Sequence, residues 1–262
     1  MPRRAISQIV IPARLQSTRL PRKLLLADTG KPLIQHTYEA ASLATRPSGI
    51  CVAADHDEIA RAVGSFGGNV VMTDPKARSG TDRVAEVARS MPGVDIIVNV
   101  QGDEPDISAE AIDQTIALLE QDDDAVMSTL ATPIRSKKKL EDPSCVKVVF
   151  DANGRALYFS RSWIPFAREW NDDLLNESTP HFFQHIGLYA YRRDFLMQIA
   201  ELPPSKFEHL ESLEQLRVLF AGHAIQVGQI DEPAIGIDTP GDYAEFLARE
   251  RAANANQQRA AA

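Results

Sequence analysis

Short apolar runs alternate with amphipathic segments through the first half of the chain. The apolar runs are rich in Val and Ile, have the length of strands and end at turn residues: 8–12, 50–54, 69–72, 96–100 and 125–130. Segments with a helical period lie between them: 32–43, 81–90 and 108–119, the last with Ser108 as the predicted N-cap. Parallel strands need crossover connections, so this alternation predicts an α/β fold with a mostly parallel sheet flanked by helices.

The pattern changes after about residue 133, where longer spacers separate the predicted elements. Further strands are predicted at 146–150, 156–159, 186–191 and 225–229, and helices at 213–220 and 240–249. A chain of 262 residues can bury a sizeable core. We therefore expect a single domain over residues 1–251, to which residues 133–210 contribute an inserted region, and a flexible tail over residues 252–262.

A basic segment follows the first predicted strand, in the position where α/β sheets bind ligands. Arg14, Lys23 and the Ser17-Thr18 pair could surround a triphosphate there, since backbone N–H groups and cations bind phosphate oxygens. The segment lacks the G-x-x-x-x-G-K-[ST] spacing of a P-loop, and it lacks G-x-G-x-x-G. P-loop and dinucleotide-binding folds are thus excluded, and a solvated basic loop remains the alternative.

Two aspartates follow apolar runs and are candidate metal ligands. Asp103 lies in a Gly-containing turn after the strand at 96–100, and Asp238 precedes Thr239-Pro240. Magnesium in proteins is held by one or two carboxylates together with phosphate oxygens and water. From the pattern alone, each aspartate fits an ordinary turn or N-cap equally well.

The remaining candidates for ligand contacts are two small polar residues and a pair of histidines. Ser79 and Thr81 stand at a predicted helix start, where they could contact a base or ribose; a plain N-cap role for Thr81 is the competing interpretation. His181 and His185 are four residues apart, but their aromatic surroundings favour a strand over a zinc-binding helix.

Charge and cysteine usage narrow the class of protein. The formal net charge of −8 argues against an extended nucleic-acid interface, which needs clustered Lys and Arg. Cys51 and Cys145 lie in apolar runs without Cys-x-x-Cys spacing, which indicates buried reduced thiols. No run approaches the ~20 apolar residues of a membrane span. We expect a cytoplasmic protein with a small anionic ligand and no membrane insertion.

Nine short motifs occur in the same order as in one enzyme family. They are IPAR (11–14), STRLP (17–21), GKP (30–32), SGTDR (79–83), VNVQGDEP (98–105), ALYFSR (156–161), HIGLY (185–189), LEQLR (213–217) and GIDTP (236–240). Over roughly residues 8–248 the chain resembles the 3-deoxy-manno-octulosonate (Kdo) cytidylyltransferases. The segment at residues 53–56 departs from the family pattern, which more often has a Thr and a second Asp there.

The resemblance implies a nucleotide-diphospho-sugar transferase fold, CTP and Kdo as substrates, Mg²⁺ dependence and a homodimer. It implies that CMP is joined to Kdo. It also implies roles for individual residues: triphosphate contacts for Arg14, Ser17 and Lys23, cytidine contacts for Ser79 and Thr81, magnesium ligands for Asp103 and Asp238, and a sugar-acid pocket of Gln101, Arg161, His185, Tyr189, Glu214 and Gln215.

Two rival functions remain at this point. A cytidylyltransferase for another acid sugar, such as a sialic-acid-like nonulosonate or an amino derivative of Kdo, would have a similar nucleotide half. A catalytically silent nucleotide- or sugar-binding module is the rival from a different class. The presence of Asp103, Asp238 and Lys23 disfavours a silent module, which has no physical need for all three.

Overall fold

Strands drawn from residues 7–229 assemble into one mixed sheet. The computed structural model describes residues 4–199 and 201–261. The strands in that part of the chain are β1 Ser7–Ala13, β2 Gly49–Ala54, β3 Val70–Met72, β4 Ile96–Asn99, β5 Ala125–Pro133, β6 Lys147–Phe150, β7 Ala156–Ser160, β8 Phe183–Arg192 and β9 Ala224–Gln229. Their order in the sheet is β3-β2-β1-β4-β8-β5-β9, and β6 pairs with both β7 and β8.

Helices connect the strands, as parallel pairing requires. They are α1 Leu33–Ala41, α2 Asp57–Ser65, α3 Gly80–Arg89, α4 Ala109–Gln121, α5 Lys137–Glu141, α6 Arg193–Ile199, α7 Lys206–Glu211, α8 Gln215–Phe220 and α9 Pro240–Ala261. The pairs β1–β2, β1–β4, β2–β3 and β5–β9 are parallel. Strand β8 runs antiparallel between β4 and β5. Strand β6 also pairs antiparallel with β7 and with β8. The predicted α/β sheet is therefore confirmed, with antiparallel pairing at β6, β7 and β8.

Both faces of the sheet are covered. Ile9 and Ile11 of β1 belong to the core cluster that contains Ile112 of α4, whereas Val10 belongs to the opposite cluster with Val84 of α3. Successive residues of a strand point to opposite faces, so β1 contributes buried side chains to both layers. A strand buried in this way reads as a continuous apolar run, which is why the central strands were predictable.

The observed elements differ from the predicted ones in four places. Helix α2 was not among the predicted helices. It begins after His56, an unusual cap whose ring accepts a hydrogen bond from the Glu58 N–H. Helices α6 and α7 are too short to display a clear period, although α7 begins with a capping box at Ser205 and Glu208. The charged connector at 136–141 contains the short helix α5.

The fourth difference concerns the C-terminal segment. Helix α9 continues to Ala261, where the sequence pattern predicted an end at residue 249 and a flexible tail from residue 252. Alanine, glutamine and arginine are strong helix formers, and they dominate this segment.

Both cysteines are buried and unpaired, as predicted, and burial raises the pKa of the Cys51 thiol to about 11. Among the described residues, none of the helices combines the length and the apolar character that a membrane crossing requires.

Candidate active site

The first cavity opens beyond the carboxyl ends of β1 and β4. It has a volume of about 380 Å³. Six of the seven residues predicted to contact the nucleotide or magnesium line it: Arg14, Ser17, Lys23, Ser79, Asp103 and Asp238. Gln101 and Glu214 line it as well. The structure thus collects the predicted triphosphate and magnesium residues around one space.

The Lys23 side chain joins the two candidate metal carboxylates. Its Nζ donates to Asp103, to the Asp238 carboxylate at 2.9 Å and to the Ile237 carbonyl at 3.1 Å. Burial acts to lower the pKa of Lys23, but hydrogen bonds and charges from Asp103 and Asp238 outweigh it and raise the pKa above its usual value. Lys23 is therefore an ammonium ion. Arg19 adds a second cation, 2.8 Å from the Asp238 carboxylate.

A close backbone approach fixes the turn that carries Asp103. A Cβ added to Gly102 would lie 3.2 Å from the Pro12 carbonyl oxygen and 3.3 Å from Ile34. The Thr37 hydroxyl donates to the Gly102 carbonyl at 2.9 Å. Glycine at this position lets β4 turn against the end of β1, so that Asp103 faces the basic segment.

The start of α3 forms another wall of the cavity. The Ser79 hydroxyl accepts a hydrogen bond from the Asp82 N–H, so Ser79 is the N-cap of this helix. The interpretation of Thr81 as the N-cap is wrong, because Thr81 already lies within the helix. Its hydroxyl instead donates to the Glu214 carboxylate at 3.0 Å, which connects α3 to the segment before α8.

Three residues near this cavity were not predicted as site residues. Arg83 is buried, lines the cavity and hydrogen bonds to Thr73. Asp55 follows β2 and accepts a hydrogen bond from the Leu15 N–H at 2.9 Å, which holds the basic segment. The position of Asp55 at the end of a strand was a signal that sequence analysis could have used. Burial, and then the charge of Asp103, raise the pKa of Glu104 to about 8.

The second cavity adjoins the first and has a volume of about 420 Å³. Gly80, Gln101 and Glu214 line both cavities. The predicted sugar-pocket residues that line the second cavity are Gln101, His185, Tyr189, Glu214 and Gln215. The two cavities are therefore placed so that ligands bound in them would meet near the shared residues.

Neutral groups dominate the floor of the second cavity. His185 on β8 is buried against Phe159, and its Nε2 lies 3.1 Å from the Thr129 hydroxyl. Burial lowers the pKa of His185 to about 3, so the imidazole is uncharged at neutral pH. Burial, with smaller contributions from Tyr191 and Glu214, holds the pKa of Tyr189 well above its usual value. Both side chains are uncharged near pH 7.

Arg161 was predicted to contact the sugar acid, but here its guanidinium contacts backbone carbonyls. It donates to Glu211 at 2.6 Å, to Pro143 at 3.1 Å and to Ser212 at 3.4 Å. Lys147 supports the same wall, because its fully buried ammonium donates to three carbonyls, one of them that of Arg161. Ser212 lines the second cavity, so Arg161 shapes the cavity from its edge.

The fold and the site define an α/β nucleotidyltransferase. A basic segment and two carboxylates surround one cavity, and a second cavity with a neutral floor lies beside it. The family model for cytidylyltransferases matches residues 8–225.

Comparison with individual proteins is more specific. A 3-deoxy-manno-octulosonate cytidylyltransferase of Rhodopirellula baltica is 47% identical over 242 residues, 92% of this chain and 97% of the relative. An 8-amino-3,8-dideoxy-manno-octulosonate cytidylyltransferase of Shewanella woodyi is 47% identical over 239 residues, 89% and 94% of the two chains. The solved structure of a CMP:2-keto-3-deoxy-manno-octonic acid synthetase complexed with CTP has 40% identity and a TM-score of 0.86, and covers 97% of this chain and 100% of its own. This chain belongs to the 3-deoxy-manno-octulosonate cytidylyltransferase family.

The neutral state of His185 predicts a pH dependence of stability. Folded His185 has a pKa of about 3, whereas the unfolded chain has the ordinary value of 6.5 and binds an extra proton below it. Stability is therefore lost as the pH falls below 6.5. From pH 7 to pH 5 this residue should lower the free energy of unfolding by about 2 kcal/mol. Between pH 7 and pH 5, the free energy of unfolding of a His185→Gln variant should therefore fall by about 2 kcal/mol less than that of the unmodified protein. Urea titrations at the two pH values measure both changes. Equal losses in both proteins would contradict a buried neutral His185.

Proposed function

We propose that this chain transfers CMP from CTP to 3-deoxy-manno-octulosonate and releases diphosphate, supplying activated Kdo for lipopolysaccharide or a related Kdo glycan. The observation that carries the proposal is the convergence of Asp103 and Asp238 on Lys23, at the rim of a cavity that adjoins a second, neutral one. The names and high coverage of the relatives support the same activity.

The first cavity suits the triphosphate of CTP. Arg14 and Lys23 supply positive charge, and Ser17 supplies a hydroxyl, at the end of β1. Ser79 at the start of α3 lines the first cavity, Thr81 further along the helix lines the second, and both are assigned to the nucleoside in this proposal. During transfer the anomeric hydroxyl of Kdo loses its proton to solvent and its oxygen bonds to the α-phosphorus, while the bond from that phosphorus to the oxygen that bridges to the β-phosphate breaks. Arg14 and Lys23 then stabilise the negative charge on departing diphosphate.

Asp103 and Asp238 fit a magnesium site. Both carboxylates already contact one cation, the Lys23 ammonium, so their oxygens converge on a common point. Magnesium prefers oxygen ligands and keeps several positions for phosphate and water. Among the described residues no cluster of three or more His, Cys, Asp or Glu side chains is placed to hold a metal ion, so phosphate oxygens and water would have to complete the coordination at this pair. When bound, Mg²⁺ would supply Lewis-acid polarisation of the α-phosphate.

The second cavity suits the acid sugar. Gln101 donates to the Gly187 carbonyl at 3.3 Å and so stands between β4 and β8, next to both cavities. His185, Tyr189, Glu214 and Gln215 offer hydrogen-bonding groups to a polyhydroxylated ligand. Three of the five guanidinium N–H groups of Arg161 donate to backbone carbonyls, so two are left for the sugar carboxylate.

A homodimer and a cytoplasmic location are part of the same proposal. Three large apolar side chains of the 133–210 region are exposed, Leu157 at 62%, Phe166 at 78% and Leu210 at 80%. Exposed apolar surface of this kind is often covered by a partner. Buried free thiols are compatible with a reducing compartment.

The substrate assignment is tested by measuring diphosphate release with each of four NTPs in the presence of Mg²⁺. Kdo, 8-amino-Kdo and sialic acid are supplied in turn as acceptor. We expect the largest kcat/KM with CTP and Kdo. A preference for sialic acid would overturn the assignment of Kdo as the acceptor. If no diphosphate is released with any of the three acid sugars, the silent binding module becomes the better description.

The metal assignment predicts a large loss on removing Asp103. We expect Asp103→Ala to lower kcat on the order of a hundredfold or more, because it removes a preorganised electrostatic partner. Asp123→Ala is the matched control, since Asp123 is fully exposed on the acidic turn before β5 and should keep normal turnover. Normal turnover of Asp103→Ala with CTP and Kdo would rule Asp103 out as a metal ligand.

The dimer proposal predicts a solution mass twice the 28.8 kDa of one chain. Light scattering coupled to gel filtration measures it. Phe166→Glu should shift the protein toward the monomer, since a buried charge is costly, whereas Leu43→Glu, at an exposed apolar residue outside the 133–210 region, should not. A monomeric unmodified chain at micromolar concentration would contradict the proposal.

A further inference from the structure

Three amide side chains that line the second cavity have buried polar atoms without a protein partner. They are Asn99 Oδ1, Gln184 Oε1 and Gln215 Nε2. Asn99 is only 2% exposed and Gln215 only 5%. Gln215 was among the predicted sugar-pocket residues, whereas no role was assigned to Asn99 or Gln184.

Unpartnered amides in a protein interior are costly. A buried polar atom left without a hydrogen bond costs about 1–3 kcal/mol, and native proteins contain few of them. Three such atoms around a single cavity are available to a ligand that enters it. The cost to the free protein is then recovered in the complex.

The two unassigned amides come from different strands. Asn99 ends β4 and pairs with Tyr189 of β8. Gln184 lies near the start of β8, where it pairs with Thr132 of β5 and Lys147 of β6. Backbone ladders hold both Cα positions, so the amides present fixed points to a ligand on two parts of the cavity wall.

The chemistry of these groups indicates what they bind. The terminal torsion of Asn and Gln is broad and roughly two-fold, so either the carbonyl or the NH₂ end can turn toward a ligand. A hydroxyl group both donates and accepts, and an amide satisfies both of these functions without adding charge. Neutral amides beside the neutral His185 and Tyr189 therefore suit sugar hydroxyls better than a carboxylate or phosphate.

We propose that Asn99 and Gln184 bind hydroxyl groups of the acceptor sugar and determine which acid sugars are accepted. This inference rests on the proposed function, because it assigns the second cavity to the acceptor. A site built to hydrogen bond a hydroxyl discriminates strongly against an analogue that lacks it, since its buried polar groups are then left unpaired.

The test uses apolar variants of similar shape, Gln184→Met and Asn99→Leu. Each removes an amide that has an unpartnered atom in the free protein, so thermal stability should stay unchanged or rise. Each also removes a ligand contact, so KM for the acceptor should rise about tenfold, while KM for CTP stays within about twofold. A residue with a merely structural role would lose stability instead.

Gln226→Met is the matched control. Gln226 Oε1 is likewise buried and unpartnered, but this residue lines a different surface pocket, with Asp122 and Arg155. The same amide-to-thioether change there should leave KM for the acceptor unaltered.

A Kdo analogue lacking the hydroxyl at C7 or C8 adds a second readout. The unmodified enzyme should discriminate against at least one of the two analogues, and Gln184→Met or Asn99→Leu should have lost most of that discrimination.

The outcomes separate the inference from the proposed function. If the unmodified enzyme has no activity on any acid sugar, the proposed function is refuted and this inference with it. If it is active on one acid sugar, the KM values of the two variants for that sugar decide the inference. The inference fails if both variants keep the acceptor KM, or if both unfold or lose stability together with a parallel rise in KM for CTP.

Discussion

The contact between Lys23 and the two aspartates is the interaction on which the site depends. Asp103 is 80 positions and Asp238 is 215 positions from Lys23 along the chain, yet all three meet at the end of the central strands. Two carboxylates held close together repel each other unless a cation lies between them. The Lys23 ammonium provides that cation, and the turn at Gly102 and the start of α9 hold the carboxylates against it.

The two cavities differ in the charge of the groups that line them. Fixed charges line the first, where the proposed ligand is a polyanion. The floor of the second consists of groups that burial keeps uncharged, such as His185 and Tyr189. A hydroxyl-rich ligand gains more from neutral hydrogen-bonding groups than from desolvated charges, which are expensive to bury. Gln101 and Glu214 lie where the two environments meet.

Insertion of β8 between β4 and β5 makes this arrangement possible. Because β8 runs antiparallel to both neighbours, it brings Tyr189 beside Asn99 and His185 beside Ala131. The segment that precedes β8 in the chain supplies the carbonyl-bound cations Lys147 and Arg161 at the edge of the second cavity. The proposed acceptor side thus combines Asn99 and Gln101 with residues from a late part of the chain, whereas the proposed nucleotide side comes mainly from the first 103 residues.

The sequence by itself determined the strands to within a few residues, the start of α4 at Ser108 and the segments that surround the first cavity. These features follow from local periodicity, caps and strand ends, which are visible in the order of residues. Only the tertiary structure decided that β8 is antiparallel, that Arg161 contacts carbonyls, and that Asn99 and Gln184 have unpartnered amide atoms whereas the Gln101 amide is bonded. The physical reason is that hydrogen-bond partners and burial depend on residues distant in the chain, and the same residue type occurs in the sequence whether or not its partner is present.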